Sequence, residues 1–195
     1  MSDLLFATNN RHKIREIQEI MGHEFRIRCL DDVCISVDIP ETQETIEGNA
    51  AQKARFIHDL TGMDCFADDT GLEIASLGGR PGVYSARYAG EGCSFDDNVN
   101  KILLEMDGVV NRDACFRTVI CLIVGGTEHL FEGRIDGTIT AWRSGEDGFG
   151  YDPVFMPKGY SQTFSEMPAY LKNGISHRGR AATKMVKWLK SKKAE

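Results

Sequence analysis

The chain lacks a long apolar run. Nowhere do its 195 residues offer the stretch of about 18 consecutive apolar side chains that a membrane-spanning helix needs. The N-terminus, MSDLLFATNN, has no basic region leading into an apolar one, so it does not read as a leader, and a cytoplasmic protein is expected. Paired cysteines are also missing. The six cysteines form no CxxC pair, and several lie within apolar runs, such as Cys121 in Val119–Val124, which reads as buried free thiols and argues against a disulfide framework or a zinc site. Basic excess is missing too: 23 Lys and Arg stand against 29 Asp and Glu, for a net charge of −6. That balance argues against a protein that coats nucleic acid by bulk attraction, while leaving room for a local basic pocket that holds one small anion.

What is present is an ordinary globular composition, 42% hydrophobic and 27% charged, long enough for one domain with two lobes. Leu4–Ala7 reads as a short buried strand, Thr8-Asn9-Asn10 as a polar loop, and the spacing of Ile14, Ile17, Ile20 and Met21 as a helix, an α/β beginning. A strand over 25–29, a helix over 48–60 and a strand from Cys65 to Asp69 follow, the last closed by a turn at Thr70-Gly71. The Gly-rich 77–90 stretch reads as a long functional loop or the link between two lobes, 95–106 as a helix, and 114–124 with 129–140 as a hairpin. This antiparallel section is expected in a second lobe spanning roughly 77–141 of a single 1–195 domain. A short strand over 154–156, a helix near 165–171 and an amphipathic helix from Ser176 complete the chain.

Both the first and the last helix open with the wrong charge. Helix N-termini favour acidic side chains, yet these begin Asn10-Arg11-His12-Lys13 and Ser176-His177-Arg178. An anion bound at free backbone N–H groups would account for such starts. Elsewhere Glu41, Glu44, Glu47, Asp68 and Asp69 form a set of carboxylates suited to Mg²⁺, which takes oxygen ligands and completes its shell with substrate phosphates. Strand alternation places Asp68 and Asp69 on opposite faces, so their roles must differ. Gly148-Phe149-Gly150-Tyr151-Asp152-Pro153 combines a stacking ring with an acceptor for a ring N–H of a base. Phosphate cations, metal carboxylates and a base platform together describe a nucleoside polyphosphate site.

In order and spacing, Thr8–Lys13, Asn49-Ala50 with Lys53-Ala54, Ala67–Leu72, Pro81–Tyr88, Gly148–Pro153 and Ser176–Arg178 resemble the inosine triphosphate pyrophosphatase family, also called dITP/XTP pyrophosphatases. The resemblance runs from Ala7 to Arg178. It implies a central twisted mixed sheet flanked by helices, two lobes with a nucleotide cleft between them, and a homodimer. It also implies Mg²⁺-dependent hydrolysis of ITP, dITP and XTP to the monophosphate and pyrophosphate. Carried onto this chain, Thr8, Asn9, Asn10, Arg11, His12 and Lys13 line the triphosphate, with Lys53 as a second cation. Glu41 and Asp69 bind the metal, Asp69 also serves as general base, and Thr70 touches the substrate. Phe149, Gly150, Tyr151 and Asp152 take the nucleoside, while Lys172, His177 and Arg178 read the purine edge. A lysine has donors only and therefore suits a 6-oxo group over a 6-amino group. The pattern departs at two places. Glu44 or Glu47 takes the metal role if the loop register differs, and Gly48, where many relatives have glutamate, is expected to loosen the helix start. Two other readings compete: a pyrophosphatase for modified pyrimidine triphosphates, and a non-catalytic nucleotide sensor.

Overall fold

Leu4, Leu5, Phe6 and Ala7 are all buried, as expected of a strand covered on both faces. In the computed structural model, which describes residues 2–193, this strand is β1 (Ser2–Phe6). It is followed by α1 (Arg11–Met21), β2 (Phe25–Arg28), α2 (Ile46–Thr61), β3 (Cys65–Ile74), β4 (Pro81–Gly82) and α3 (Phe95–Glu105). The chain then forms β5 (Asp113–Val124), β6 (Thr127–Ile139), β7 (Phe155–Pro157), α4 (Ala169–Ile175) and α5 (His177–Lys193). The strand order is β2-β1-β3-β5-β6-β7, with β4 added alongside β3. β1 runs parallel to β2 and β3, whereas β4 and β7 pair antiparallel with β3 and β6, so this α/β fold carries a mixed sheet.

The described residues form two compact units. The first runs through Asp69, takes up Thr118–Gly133 and resumes at His177; the second comprises Thr70–Arg117 and Arg134–Ser176. Of the 77–141 stretch, residues 118–133 therefore lie in the first unit. In that unit the alternation of β1 separates two cores. Leu5 and Ala7 pack with Ala50, Ala54 and Ile57 of α2, while Leu4 and Phe6 pack with Ile17 and Met21 of α1 and with Ala182, Met185 and Leu189 of α5. The far half of the β5–β6 hairpin feeds both, Val119, Cys121 and Ile123 on one side and Ile120 and Leu122 on the other. The second unit has its own core, with Leu72, Ile74, Val99, Ile102, Phe116, Ile139, Phe155 and Phe164 buried together.

Two expected elements are corrected. β3 does not end at Asp69 in a Thr70-Gly71 turn; it continues to Ile74, because Leu72 and Ile74 resume the buried alternation and Leu72 and Glu73 pair with β4. The helix expected over 165–171 is a short turn at Phe164–Glu166 and then α4, divided by Pro168, which keeps the residue before it out of helical geometry. Among the described residues no helix is long and apolar enough to cross a membrane.

The entry to α5 depends on one close approach. A methyl group on Gly133 of β6 would stand 2.0 Å from the His177 carbonyl oxygen and 2.5 Å from the Ala181 nitrogen, both backbone atoms. Overpacking costs about 1–3 kcal/mol where side chains can yield, and neither neighbour here can rotate away. Gly133→Ala is therefore expected to lose about 3 kcal/mol in urea unfolding; wild-type stability would show that β6 and α5 do not pack this closely.

Candidate active site

The loop after β1 is ordered by its own side chains. Thr8 Oγ1 accepts from the Asn10 backbone at 3.1 Å, and Asn10 Oδ1 caps α1 by accepting from the backbone of His12 at 3.0 Å and Lys13 at 3.2 Å. The first basic helix start thus has an internal acceptor, Asn10 Oδ1, on the His12 and Lys13 N–H groups. Asn9 turns elsewhere: its Oδ1 accepts from the Asp31 backbone at 3.0 Å. Asn9 and Arg11 line a cavity of about 530 Å³ with Ile14, Gln18, Ile27 and Cys29, while Lys13 faces Asp68 and His12 is exposed.

β3 sends its two aspartates to different partners, as alternation requires. Asp68, 2% exposed, accepts from Lys13 Nζ at 2.8 Å and from Arg178 Nε at 3.0 Å. Arg178, equally buried, also donates to Glu16 at 2.7 Å. The second basic helix start is therefore explained from within, since Arg178 is one member of a buried ion network. Burial alone would push the Asp68 carboxyl up, but Lys13, Arg178 and Lys53 together outweigh it and hold Asp68 well below the usual carboxylate range.

Asp69 points to α2. Its Oδ1 accepts from Lys53 Nζ at 3.0 Å, and the same ammonium donates to Glu41 Oε1 at 2.5 Å. Burial raises the Asp69 carboxyl, with the Glu41 charge adding to it and the cations of Lys53 and Lys13 opposing it. Lys53 goes the other way: burial disfavours its charge, but Asp69, Glu41 and Asp68 more than compensate and raise it. Of the three glutamates weighed for the metal, Glu41 is the one that meets Asp69 on a common cation; Glu44 is exposed, and Glu47 lies half-buried in the first turn of α2.

In the second unit, Asp152 Oδ2 accepts from the Phe149 backbone at 2.8 Å and from Lys172 Nζ at 2.6 Å. The Lys172 ammonium stands 5.1 Å from the Phe149 ring centroid. The oxygen expected to accept from a base therefore holds Lys172 over the ring. Tyr151 is buried with its hydroxyl donating to the Ser85 carbonyl at 2.7 Å, a role within the fold, while Gly150 and the Phe149 ring are only partly covered. Thr70, the half-buried residue after Asp69 on β3, begins this unit, and His177 begins α5 in the first.

Sequence reasoning missed Glu16 and the tying function of Asn49. Glu16 follows Lys13 by three residues and so shares its helix face, a signal that was available. Asn49 is fully buried yet carries an amide, with Oδ1 accepting from the Gln43 backbone at 2.9 Å and Nδ2 directed at Asp69 Oδ2 at 3.5 Å.

Mg²⁺ is usually bound by one or two carboxylates, with substrate phosphates and water completing the shell. Among the described residues no three His, Cys, Asp or Glu side chains converge, but Glu41 and Asp69 fit that pattern. They are hard oxygen donors from two elements that share a single ammonium, leaving an excess of negative charge at one point.

The model of the Ham1 family matches residues 4–188. A dITP/XTP pyrophosphatase of Flavobacterium johnsoniae is 48% identical over 97% of this chain and 99% of its own length, and one from Porphyromonas gingivalis is 50% identical over 97% and 98%. Among solved structures, the Staphylococcus aureus Ham1 protein superposes with a TM-score of 0.88 at 32% identity, covering 98% of this chain and 100% of the other.

Proposed function

The chain belongs to the Ham1 family, and from that membership we infer that it is a nucleoside triphosphate pyrophosphatase hydrolysing non-standard purine nucleoside triphosphates such as dITP and XTP. The reading extends to ITP, to Mg²⁺ as cofactor, and to the monophosphate and pyrophosphate as products. The family resemblance also supports a cytoplasmic homodimer, to be checked by sedimentation. The observation that carries the chemistry is the pairing of Glu41 and Asp69 on the Lys53 ammonium.

In this reading, Thr8, Asn10 and Lys13 hold the triphosphate and Asp69 takes the proton of the attacking water as its oxygen bonds to the α-phosphorus. The bridging P–O bond to the β-phosphate breaks and pyrophosphate leaves. Bound at Glu41 and Asp69, Mg²⁺ would supply charge neutralisation and Lewis acidity at phosphorus. Phe149 stacks on the base and Lys172, held by Asp152, donates to its 6-oxo group.

A triphosphate panel tests this. With Mg²⁺ the protein is expected to release pyrophosphate from dITP and XTP far faster than from dATP, dGTP or modified pyrimidine triphosphates, and chelation of the metal should abolish release. Equal rates across the panel would remove the purine specificity. Tight binding of dITP without turnover would favour the sensor.

A further inference from the structure

We propose that Asn49, seconded by Gln52, is a positioning residue that sets Glu41 against Asp69 and so fixes the pair of carboxylates offered to the metal; the proposal rests on the function inferred above. Glu41 lies in a stretch without regular structure, 40–45, just ahead of α2. Such a segment presents a carboxylate at a fixed place only when neighbouring groups fasten it.

α2 supplies those fastenings along its first turns. Thr45 caps the helix by accepting from the Gly48 backbone at 3.0 Å. Gln52 makes a reciprocal pair with Thr42, Oε1 accepting from the Thr42 backbone at 3.0 Å and Nε2 donating to Thr42 Oγ1 at 2.9 Å. Gly48 is the seat for this loop: a Cβ there would stand 2.8 Å from Gln43 Cβ, so the glycine expected to loosen the helix start instead permits close docking.

Asn49 links the loop that carries Glu41 to Asp69. One amide accepts from the loop at Gln43 and directs its donor at Asp69, and Lys53, four residues on along the same helix face, bridges Asp69 to Glu41. The chemistry requires an amide. A carboxylate at position 49 would lose the donor and repel Asp69, and an apolar side chain would leave the Gln43 N–H without its acceptor. Groups that hold metal ligands in this way change metal affinity when they are removed, by about 10- to 100-fold.

The test uses the full chain and Mn²⁺ as the probe, its binding followed by electron paramagnetic resonance in the presence of an α,β-non-hydrolysable dITP analogue. Asn49→Ser and Gln52→Ala are expected to weaken Mn²⁺ binding, Asn49→Ser by about tenfold, while metal-free affinity for the analogue stays at the wild-type value. In turnover, the Mg²⁺ concentration for half-maximal rate should rise and saturating Mg²⁺ should restore kcat, which a general loss of structure would not allow. Gln52 is half-buried and its two hydrogen bonds to Thr42 lie at the surface, so if Asn49→Ser fails to fold, Gln52→Ala decides. Glu41→Gln separates the two levels. If it leaves Mn²⁺ binding unchanged, the functional reading fails; if it weakens binding while the Asn49 and Gln52 variants bind as wild type, the positioning proposal alone is overturned.

Discussion

Asp69→Asn is expected to lower turnover of dITP by about 10²- to 10⁴-fold, the usual contribution of a positioned general base, and to leave nucleotide affinity and thermal stability close to wild type. The substitution is nearly isosteric, and an amide oxygen still accepts from Lys53. Lys53 also keeps Glu41 at 2.5 Å as counter-charge, so no buried cation is stranded. What disappears is a carboxylate whose burial raises its affinity for protons, which makes it a better base than a surface aspartate. Single-turnover pyrophosphate release, with analogue binding measured in parallel, checks both halves. A variant that turns over within about tenfold of wild type would move the base to another residue.

Much of the scaffold around Asp69 was legible from short-range pattern. Leu4–Ala7, the Asn10 cap and the Ile17–Met21 face of α1 follow from local chemistry, and the opposite environments of Asp68 and Asp69 follow from the period of a strand. The end of β3 was not legible, because Thr70-Gly71 carries turn chemistry locally and only the pairing with β4 and the burial of Leu72 and Ile74 override it. The candidate site divides in the same way. That Lys13 and Arg178 were unusual at helix starts was readable, but their shared partner Asp68 lies 55 and 110 residues away in sequence, beyond any periodicity. A carboxylate from within, Asp68, meets both cations. For Glu41, Glu44 and Glu47 the spacing offered no choice; Lys53 selects Glu41 because the loop is tied down by Gln52 and Asn49.

The same ion network makes Asp68→Ala strongly destabilising, with an expected loss of about 3–5 kcal/mol in equilibrium unfolding, the cost of breaking a buried ion pair by removing one partner. Arg178 would keep Glu16 at 2.7 Å, but it and Lys13 would face each other across the space that Asp68 now neutralises. Asp68→Asn restores volume and an acceptor without the charge, so its loss should be smaller, and combining it with Arg178→Met should cost less than the sum of the two single changes. The pH dependence has a definite sign. The folded-state Asp68 carboxyl is held below its unfolded value of about 3.9, so its contribution is complete above that pH and is lost as pH falls through the folded value. The stability gap between wild type and Asp68→Ala should therefore narrow in acid. Asp69, raised on folding, contributes with the opposite slope, its share complete below the unfolded value and lost as pH rises through the folded one. Two adjacent buried carboxylates on one strand thus oppose each other in pH dependence because burial, which raises both, is outweighed at Asp68 by the facing cations but prevails at Asp69, where Glu41 adds to it. A gap that widened in acid would show that Asp68 is not held as an ion.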